Sequence, residues 1–251
     1  MPELHLKGIA GLPEVTQGAD LADLLLRALS QSATALQAGD ILVLAQKIVS
    51  KAEGRTIRLA TVQPSARACE LATTCDKDPR LVELILRESR EVLRVKPGII
   101  IVEHRLGFVM ANAGIDQSNV PGEDAALLLP ENPDASAQRL RETFRARSGV
   151  DIGVLIIDSF GRAWRNGVTG AAIGLAGVPA MIDLRGQRDR DGRALRVTQI
   201  AAADELAAAA SLVMGQADEG IPAVLARGFP YALRDSAIAE VIRPRAEDLF
   251  R

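Results

Sequence analysis

The fold of this chain is decided by the stretch from residue 154 to residue 167, Val154-Leu155-Ile156-Ile157-Asp158-Ser159-Phe160-Gly161-Arg162-Ala163-Trp164-Arg165-Asn166-Gly167. Its apolar first four residues predict a buried strand, which we expect to end at Asp158. A strand that ends in a carboxylate presents that carboxylate at the rim of a sheet, where α/β proteins bind ligands. Arg162 and Arg165 can reach planar anions through two parallel N–H bonds and can also bind phosphate. The stretch therefore indicates nucleotide or phosphoryl chemistry.

A second apolar run, Phe108 to Ala111, is followed by Asp116 in a similar way. Two carboxylates from strand ends are the minimum for a divalent cation site, and Ser159 could add a hydroxyl ligand. The alternative is structural: Asp and Ser after a strand often cap a helix or turn, and two Arg residues often pair with surface carboxylates. The residue pattern leaves both interpretations open.

The composition favours a soluble cytoplasmic protein. The chain has 251 residues, of which 48% are hydrophobic, so we expect one domain or two intimate lobes with a large core. A net charge of -2 gives no general attraction for nucleic acid. We find no signal peptide and no apolar stretch of membrane-spanning length. Cys69 and Cys75 lack metal-site companions, and we expect no disulfide between them.

The remaining pattern mixes helices and strands. Helices are expected at residues 20–29 with Asp20 as N-cap, 65–73, 79–92, 135–147 and 203–214. Strands are expected at residues 41–45, 99–102, 108–111, 152–157, 180–184, 194–200 and 223–226. Residues 99–102 and 108–111 would form a hairpin, whereas other connections look like crossovers. The order predicts a mixed α/β (α+β) fold.

Two further segments could bind an anion. If the segment after residue 45 is helical, Lys47 and Lys51 share one face of that helix, either around an anion or as a solvated pair. The Gly-rich segment Met214 to Gly220 could offer backbone N–H groups to phosphate, or form an ordinary helix end at Gly215 with a turn. The sequence has no G-x-x-x-x-G-K-[ST] loop, so any nucleoside triphosphate would bind without it.

These residues resemble those of the coenzyme F-420:L-glutamate ligases, which add glutamate to the lactyl phosphate tail of a deazaflavin coenzyme. The resemblance covers nearly the whole chain and consists of seven motifs in order. The motifs are Gly11–Val15, Gly39–Arg55, Asn112–Asn119, Asp158–Arg165, Gly170–Gly174, Ala203–Leu206 and Met214–Pro222.

The resemblance implies a single ligase unit over residues 1–251, without the C-terminal flavin-binding domain of some relatives. It also implies an intertwined homodimer, with the cleft near the subunit boundary. The residues expected around GTP are Leu12, Pro13, Glu14, Val15, Gln46, Lys47, Lys51, Asn119, Val213, Met214, Gly215, Gln216, Ala217, Asp218, Glu219 and Gly220.

The same resemblance implies a metal-dependent reaction. Asp116 and Asp158 would hold one divalent cation, Mg²⁺ or Mn²⁺, and Ser159 would touch a second. Some relatives have Glu where this chain has Gln216, and the neutral amide would weaken that second site. Potassium is a further expected ion. Arg162 and Arg165 would hold phosphate groups during catalysis.

The implied reaction begins with phosphoryl transfer from GTP to the terminal carboxylate of the coenzyme precursor. The acyl phosphate then accepts the amine of L-glutamate, and a gamma-glutamyl extension can follow. The alternatives are a metal-dependent ligase for a different carboxylate and a nucleotide-binding partner without turnover. The presence of both Asp116 and Asp158 argues against the second alternative.

Overall fold

The computed structural model of the protein describes residues 3–118 and 124–249. Its helices are α1 (Leu21–Gln31), α2 (Gln46–Ala52), α3 (Ala66–Cys75), α4 (Pro79–Arg87), α5 (Pro133–Ser148) and α6 (Ala202–Met214). Its strands are β1 (His5–Gly8), β2 (Ile41–Ala45), β3 (Thr56–Arg58), β4 (Ser89–Lys96), β5 (Ile99–His104), β6 (Val109–Ala111), β7 (Ala125–Leu127), β8 (Gly153–Arg162), β9 (Arg165–Ala176), β10 (Ile182–Asp183), β11 (Gln199–Ile200) and β12 (Ala223–Arg227). The mixed α/β class is confirmed.

The central sheet has five strands in the order β1-β12-β2-β8-β9. The pair β2 and β8 is parallel, and the other neighbours are antiparallel. The four residues Ile41 to Leu44 are fully buried, as expected for a strand covered on both faces. Helix α6 packs against β9 at Gly170, where an added Cβ would lie 2.4 Å from the carbonyl oxygen of Ala207. Glycine at this position therefore allows the close approach of helix and sheet.

A second hydrophobic cluster lies beside the main core. It is formed by α3, α4 and the antiparallel sheet β4-β5-β6, and its fully buried members include Val82, Ile85 and Ile100. The short pair β3 and β7 packs there as well. The expected hairpin of residues 99–102 and 108–111 is confirmed by the pairing of β5 with β6.

The expected strand end at Asp158 is wrong. Strand β8 continues to Arg162 and turns directly into β9, with Asp158 paired to Ala171. The cause is the segment that follows: residues 165–176 form β9, whose backbone pairs with β8 from Val154 to Arg162. Strand β2, however, ends at Ala45 opposite Ile157, so Asp158 still lies at the edge of the parallel pair.

Two other boundaries also differ from the expectation. Helix α4 ends at Arg87, and Val92 lies in β4 because it pairs with Val102 of β5. The expected strands 180–184 and 194–200 are reduced to the two-residue pair β10 and β11. Between them, the Asp189 carboxylate accepts backbone N–H groups of nearby residues, and such local bonds favour turns over a sheet ladder.

The expected helix starts are confirmed. The side chains of Asp20, Ser65 and Asp78 each accept a backbone N–H bond at the start of α1, α3 and α4. Both cysteines are free, Cys69 exposed and Cys75 buried. Within the described ranges, the helices are too short or too polar to span a bilayer.

Candidate functional site

A cavity of about 420 Å³ opens where β2 ends and β8 passes beyond it. Its walls come from the β2–α2 junction, the segment after β6, strand β8 and the loop after α6. Eleven of the lining residues are Gln46, Lys47, Asn112, Asp116, Ser118, Asp158, Ser159, Ser211, Gln216, Glu219 and Gly220. The two apolar runs singled out in the sequence therefore bring Asp116 and Asp158 to one cavity.

Asp116 is held firmly in this cavity. Its backbone bridges to Leu127, and its carboxylate accepts bonds from Lys47 Nζ at 2.6 Å and from the Ser118 N–H at 2.7 Å. Burial would raise the pKa of Asp116, but the bonds from Lys47 and Ser118 outweigh it and lower the pKa below 3.8. Asp116 is therefore a stable carboxylate.

Asp158 has the opposite environment. Burial, together with the charge of Asp116, raises the pKa of Asp158 to about 7, against weaker opposing effects from the Ser159 N–H and Lys47. Among the described residues, no cationic side chain forms an ion pair with its carboxylate. A charged Asp158 thus lacks the direct counterion that Asp116 has.

Ser159 and Gln216 meet on the neighbouring wall of the cavity. The Ser159 hydroxyl donates to the Gln216 side-chain oxygen at 2.9 Å. In the same loop, Glu219 accepts the Ala217 N–H at 2.8 Å, and backbone hydrogen bonds lower its pKa. The loop after α6, which begins at Gly215 with a φ of +74°, is thus held by its own hydrogen bond beside Asp158.

The segment that carries Lys47 and Lys51 is helical, as α2, but each lysine has its own carboxylate. Lys47 pairs with Asp116, and Lys51 pairs with Glu14 at 2.5 Å. The Lys51 side chain is 10% exposed, so the solvated pair is wrong for this residue. The loop that carries Glu14 is thereby attached to α2.

Several expected GTP-site residues do not line this cavity. They are Leu12, Pro13, Glu14, Val15, Lys51, Val213 and Asp218, and Val15 is a core residue. Asn119 lies outside the described residues. The cavity is instead lined by Gln46, Lys47, Met214, Gly215, Gln216, Ala217, Glu219 and Gly220 of the expected set.

Arg162 and Arg165 lie at the tip of the β8–β9 hairpin, away from the cavity of the same chain. Both are exposed, and Trp164 between them is 87% exposed. Arg162 lies four residues beyond Asp158 along the extended strand, so their Cα atoms are roughly 13 Å apart. A single chain therefore does not bring these arginines to the carboxylates.

Two features of the cavity were not anticipated. The Gln46 side chain is 1% exposed; its oxygen accepts the Ser50 hydroxyl, while its Nε2 has no partner in the part of the chain described. Asn112, Ala113 and Gly114 have consecutive φ values of +51°, +53° and +64°. Asn112 is fixed by accepting the Ile100 N–H, and such strained backbone often marks a functional site. The Asn-Ala-Gly sequence was the available signal.

The side chains around Asp158 suit a hard divalent cation. Carboxylate, hydroxyl and amide oxygens are the ligands that magnesium and manganese prefer. The described residues contain no group of three His, Cys, Asp or Glu side chains placed to hold a metal. The fit therefore rests on Asp116 and Asp158 with neutral oxygens from Ser159 and Gln216.

Comparison with known proteins decides the family. The family model for F420-0:Gamma-glutamyl ligase matches residues 10–228. The chain belongs to this family. It is 48% identical to the coenzyme F420:L-glutamate ligase of Methanothermobacter thermautotrophicus, over 99% of each chain. It is 47% identical to the enzyme of that name from Methanopyrus kandleri, over 100% of this chain and 99% of the relative. The assignment as a ligase is confirmed.

Proposed function

We propose that this ligase uses GTP to add L-glutamate to the lactyl phosphate tail of the coenzyme F-420 precursor, through an acyl phosphate. The observation that carries the proposal is the cavity in which Asp158, without a cation partner, lies with Asp116, Lys47 and the loop after α6. A divalent cation that accompanies a polyphosphate would supply the counterion that Asp158 lacks. The family and its relatives' names support glutamate and the coenzyme as the other substrates.

The cation would be held by Asp116 and Asp158, with Ser159 and Gln216 on the adjacent wall. When bound, a divalent ion neutralises charge on the triphosphate and on the group in transfer. Gln216 is neutral and already accepts the Ser159 hydroxyl, so its oxygen offers less to a second ion than a carboxylate would.

The chain's own residues would bind and orient GTP. Lys47 has three donors, of which two are used by Asp116 and Ser118, so it can turn toward a phosphate beside the metal. The residues of the segment Gly215 to Gly220, apart from Asp218, line the cavity, and their backbone N–H groups could bind phosphate oxygens. The unpartnered Gln46 amide is a buried donor beside them.

The chemistry then takes two displacements. A carboxylate oxygen of the precursor attacks the γ-phosphorus, the bond to the β-phosphate oxygen breaks, and GDP leaves. The amine nitrogen of glutamate attacks the acyl carbon, loses a proton, and expels inorganic phosphate as the amide forms. Positioning and charge stabilisation account for catalysis of this kind, so no protein nucleophile is required.

We further propose that two copies associate and that each β8–β9 hairpin extends toward the other copy's cavity. Exposed Trp164 and half-exposed Val168 give the hairpin an apolar surface, and Arg162 and Arg165 give it phosphate-binding groups.

The shared cavity is tested by complementation. Mixing inactive Asp158→Asn with inactive Arg165→Ala should restore part of the activity. If the mixture of Asp158→Asn and Arg165→Ala stays inactive at every ratio, the shared cavity is contradicted. Sedimentation that shows the active protein to be a monomer would contradict it as well.

The function is tested by incubating the protein with the deazaflavin precursor, isotope-labelled L-glutamate, magnesium and a nucleotide. Mass spectrometry should show the label in the coenzyme, together with one GDP and one phosphate for each amide. ATP should support less incorporation than GTP. Incorporation into another carboxylate but not the precursor would favour a different ligase. Nucleotide binding without any incorporation would favour a binding protein.

A further inference from the structure

A separate cavity of about 360 Å³ lies between the core and the C-terminal segment, at the outer edge of β9. One wall is the edge-to-face pair of Phe108 and Phe160, whose ring centroids are 5.8 Å apart. Ile242 of the C-terminal segment forms an opposing apolar surface. The cavity thus offers apolar walls that suit a short aliphatic chain.

Asp204 places a carboxylate in this cavity. Its Oδ1 accepts the Ala172 N–H at 2.9 Å, whereas its Oδ2 accepts no bond from the described residues. Burial raises the pKa of Asp204. One oxygen therefore fixes the carboxylate on the edge strand, and the other is available to a cationic group.

Arg243 supplies the opposite charge. It lines the same cavity, is exposed to solvent, and forms no ion pair or hydrogen bond within residues 3–118 and 124–249. Its neighbour Arg245, by contrast, pairs with Glu91 at 2.7 Å. Asp248 adds another carboxylate to the lining, so a simple anion is disfavoured. A ligand with both an ammonium and a carboxylate group matches these charges.

The position of the cavity connects it to the proposed reaction. Ala171 lines it and is the direct partner of Asp158 in the β8–β9 ladder, so their Cβ atoms lie on one face about 5 Å apart. Phe160, two residues beyond Asp158 on the same strand, lies on that face as well. One small alanine side chain therefore separates the cavity from the Asp158 carboxylate.

We infer that this cavity is the binding site of the amino-acid substrate, with Asp204 holding the α-ammonium group, Arg243 a carboxylate, and the phenylalanine pair the methylene chain. The inference rests on the proposed function, because it identifies the amino acid as the L-glutamate of that reaction. The ammonium end would face Ala171 and the neighbouring cavity, where the acyl phosphate would form.

The test compares Arg243→Gln and Asp204→Asn with the control variants Arg245→Gln and Glu205→Gln, which do not line the cavity. The Asn variant keeps an oxygen for the Ala172 N–H, and equal melting temperatures would establish folding. Loss of a charged hydrogen bond should raise the KM for L-glutamate about tenfold to a hundredfold, with the KM for GTP nearly unchanged. Arg243→Lys should recover part of the loss.

Calorimetric titration with L-glutamate, and with glutarate, which lacks the ammonium group, separates this inference from the proposed function. The wild type should bind L-glutamate more tightly than glutarate, and both cavity variants should lose that binding. Normal ligation with control-like KM values in both variants would overturn the cavity assignment and leave the ligase function intact. Absence of ligation in the wild type, with glutamate binding still lost in the variants, would overturn the function alone.

Discussion

Glu88 and Asp158 are both carboxylates removed from bulk water, yet their surroundings differ. Glu88 is bonded by Arg55 at 3.2 Å and by Arg105 at 2.9 Å, and the buried ring of His104 lies 3.5 Å away. Burial raises the pKa of Glu88, but the nearby His104 ring, the hydrogen bond from Arg105 and the charges of both arginines lower it to about 2. Asp158, without such partners, has a pKa raised to about 7.

We interpret the Glu88 carboxylate as a charge that stabilises the fold and the Asp158 carboxylate as a charge that serves the proposed function. Arg55 also donates to the Leu129 carbonyl, and Arg105 donates to the Glu131 carbonyl, so both arginines tie Glu88 to the neighbouring backbone. Asp158 lies in an environment that disfavours its charge, and under the proposed function a bound cation would compensate that charge. Perturbed pKa values of this second kind are typical of functional sites.

The largest expected effect is on catalysis. Asp158→Asn keeps the shape of the side chain but removes the charge that would hold the cation. The rate of glutamate addition should fall roughly a thousandfold, or about 4 kcal/mol in activation free energy. Steady-state kinetics with saturating magnesium or manganese measures this, and near wild-type turnover would exclude Asp158 as a metal ligand.

Glu88→Gln should lower the stability of the fold and leave the rate of glutamate addition nearly unchanged. Two arginines would lose their shared carboxylate, which should lower the free energy of unfolding by about 3 kcal/mol. Urea unfolding measures the loss, and kcat at low temperature should remain close to that of the wild type. The control is Glu91→Gln, which breaks an exposed ion pair and should cost less than about 1 kcal/mol. Equal losses in the two variants would remove the distinction between them.

The same cluster predicts an acid dependence. Because the folded-state pKa of Glu88 is below its ordinary value of 4.5, its stabilisation is complete above that value and declines as the pH falls toward 2. Between pH 4.5 and pH 3 the wild type should lose about 1.5 kcal/mol more than Glu88→Gln. Unfolding curves that stay parallel across this range would show that the cluster does not hold Glu88 ionised.

A smaller effect should appear in metal-free protein at pH 8. Asp158 is then largely ionised in an environment that disfavours its charge. Asp158→Asn should therefore stabilise the protein by about 1 kcal/mol, which corresponds to roughly 2–4 °C in melting temperature. Scanning calorimetry with a chelator tests this, and a lower melting temperature for the variant would mean that the charge is already compensated.

The sequence predicted the parts of this structure that depend on neighbours in the chain. The apolar runs 41–45 and 152–157 formed strands, and Asp20, Ser65 and Asp78 began helices, because local bonds and burial decide these features. The meeting of Asp116 and Asp158 in one cavity followed from the two apolar runs that precede them. The continuation of β8 past Asp158 did not, because it depends on pairing with β9.

Features built from distant residues were not predictable in this way. Glu88 meets Arg55 across 33 residues, and the Ala172 N–H meets Asp204 across 32. Neither contact leaves a periodic or spaced pattern in the sequence. The positions of Arg162 and Arg165 were inferred from their nearness to Asp158 in sequence, whereas an extended strand carries them away from it.

The central claim, that the under-partnered Asp158 holds the cation that accompanies GTP, is tested most directly by titrating Mn²⁺ into protein with GTP. Calorimetry should show Mn²⁺ binding to the wild type and to Glu88→Gln with similar affinity. Asp158→Asn should bind Mn²⁺ at least about tenfold more weakly, because it retains the oxygens of a neutral amide but no charge. Equal affinity in wild type and Asp158→Asn, or no difference between Asp158→Asn and Glu88→Gln, would contradict the account.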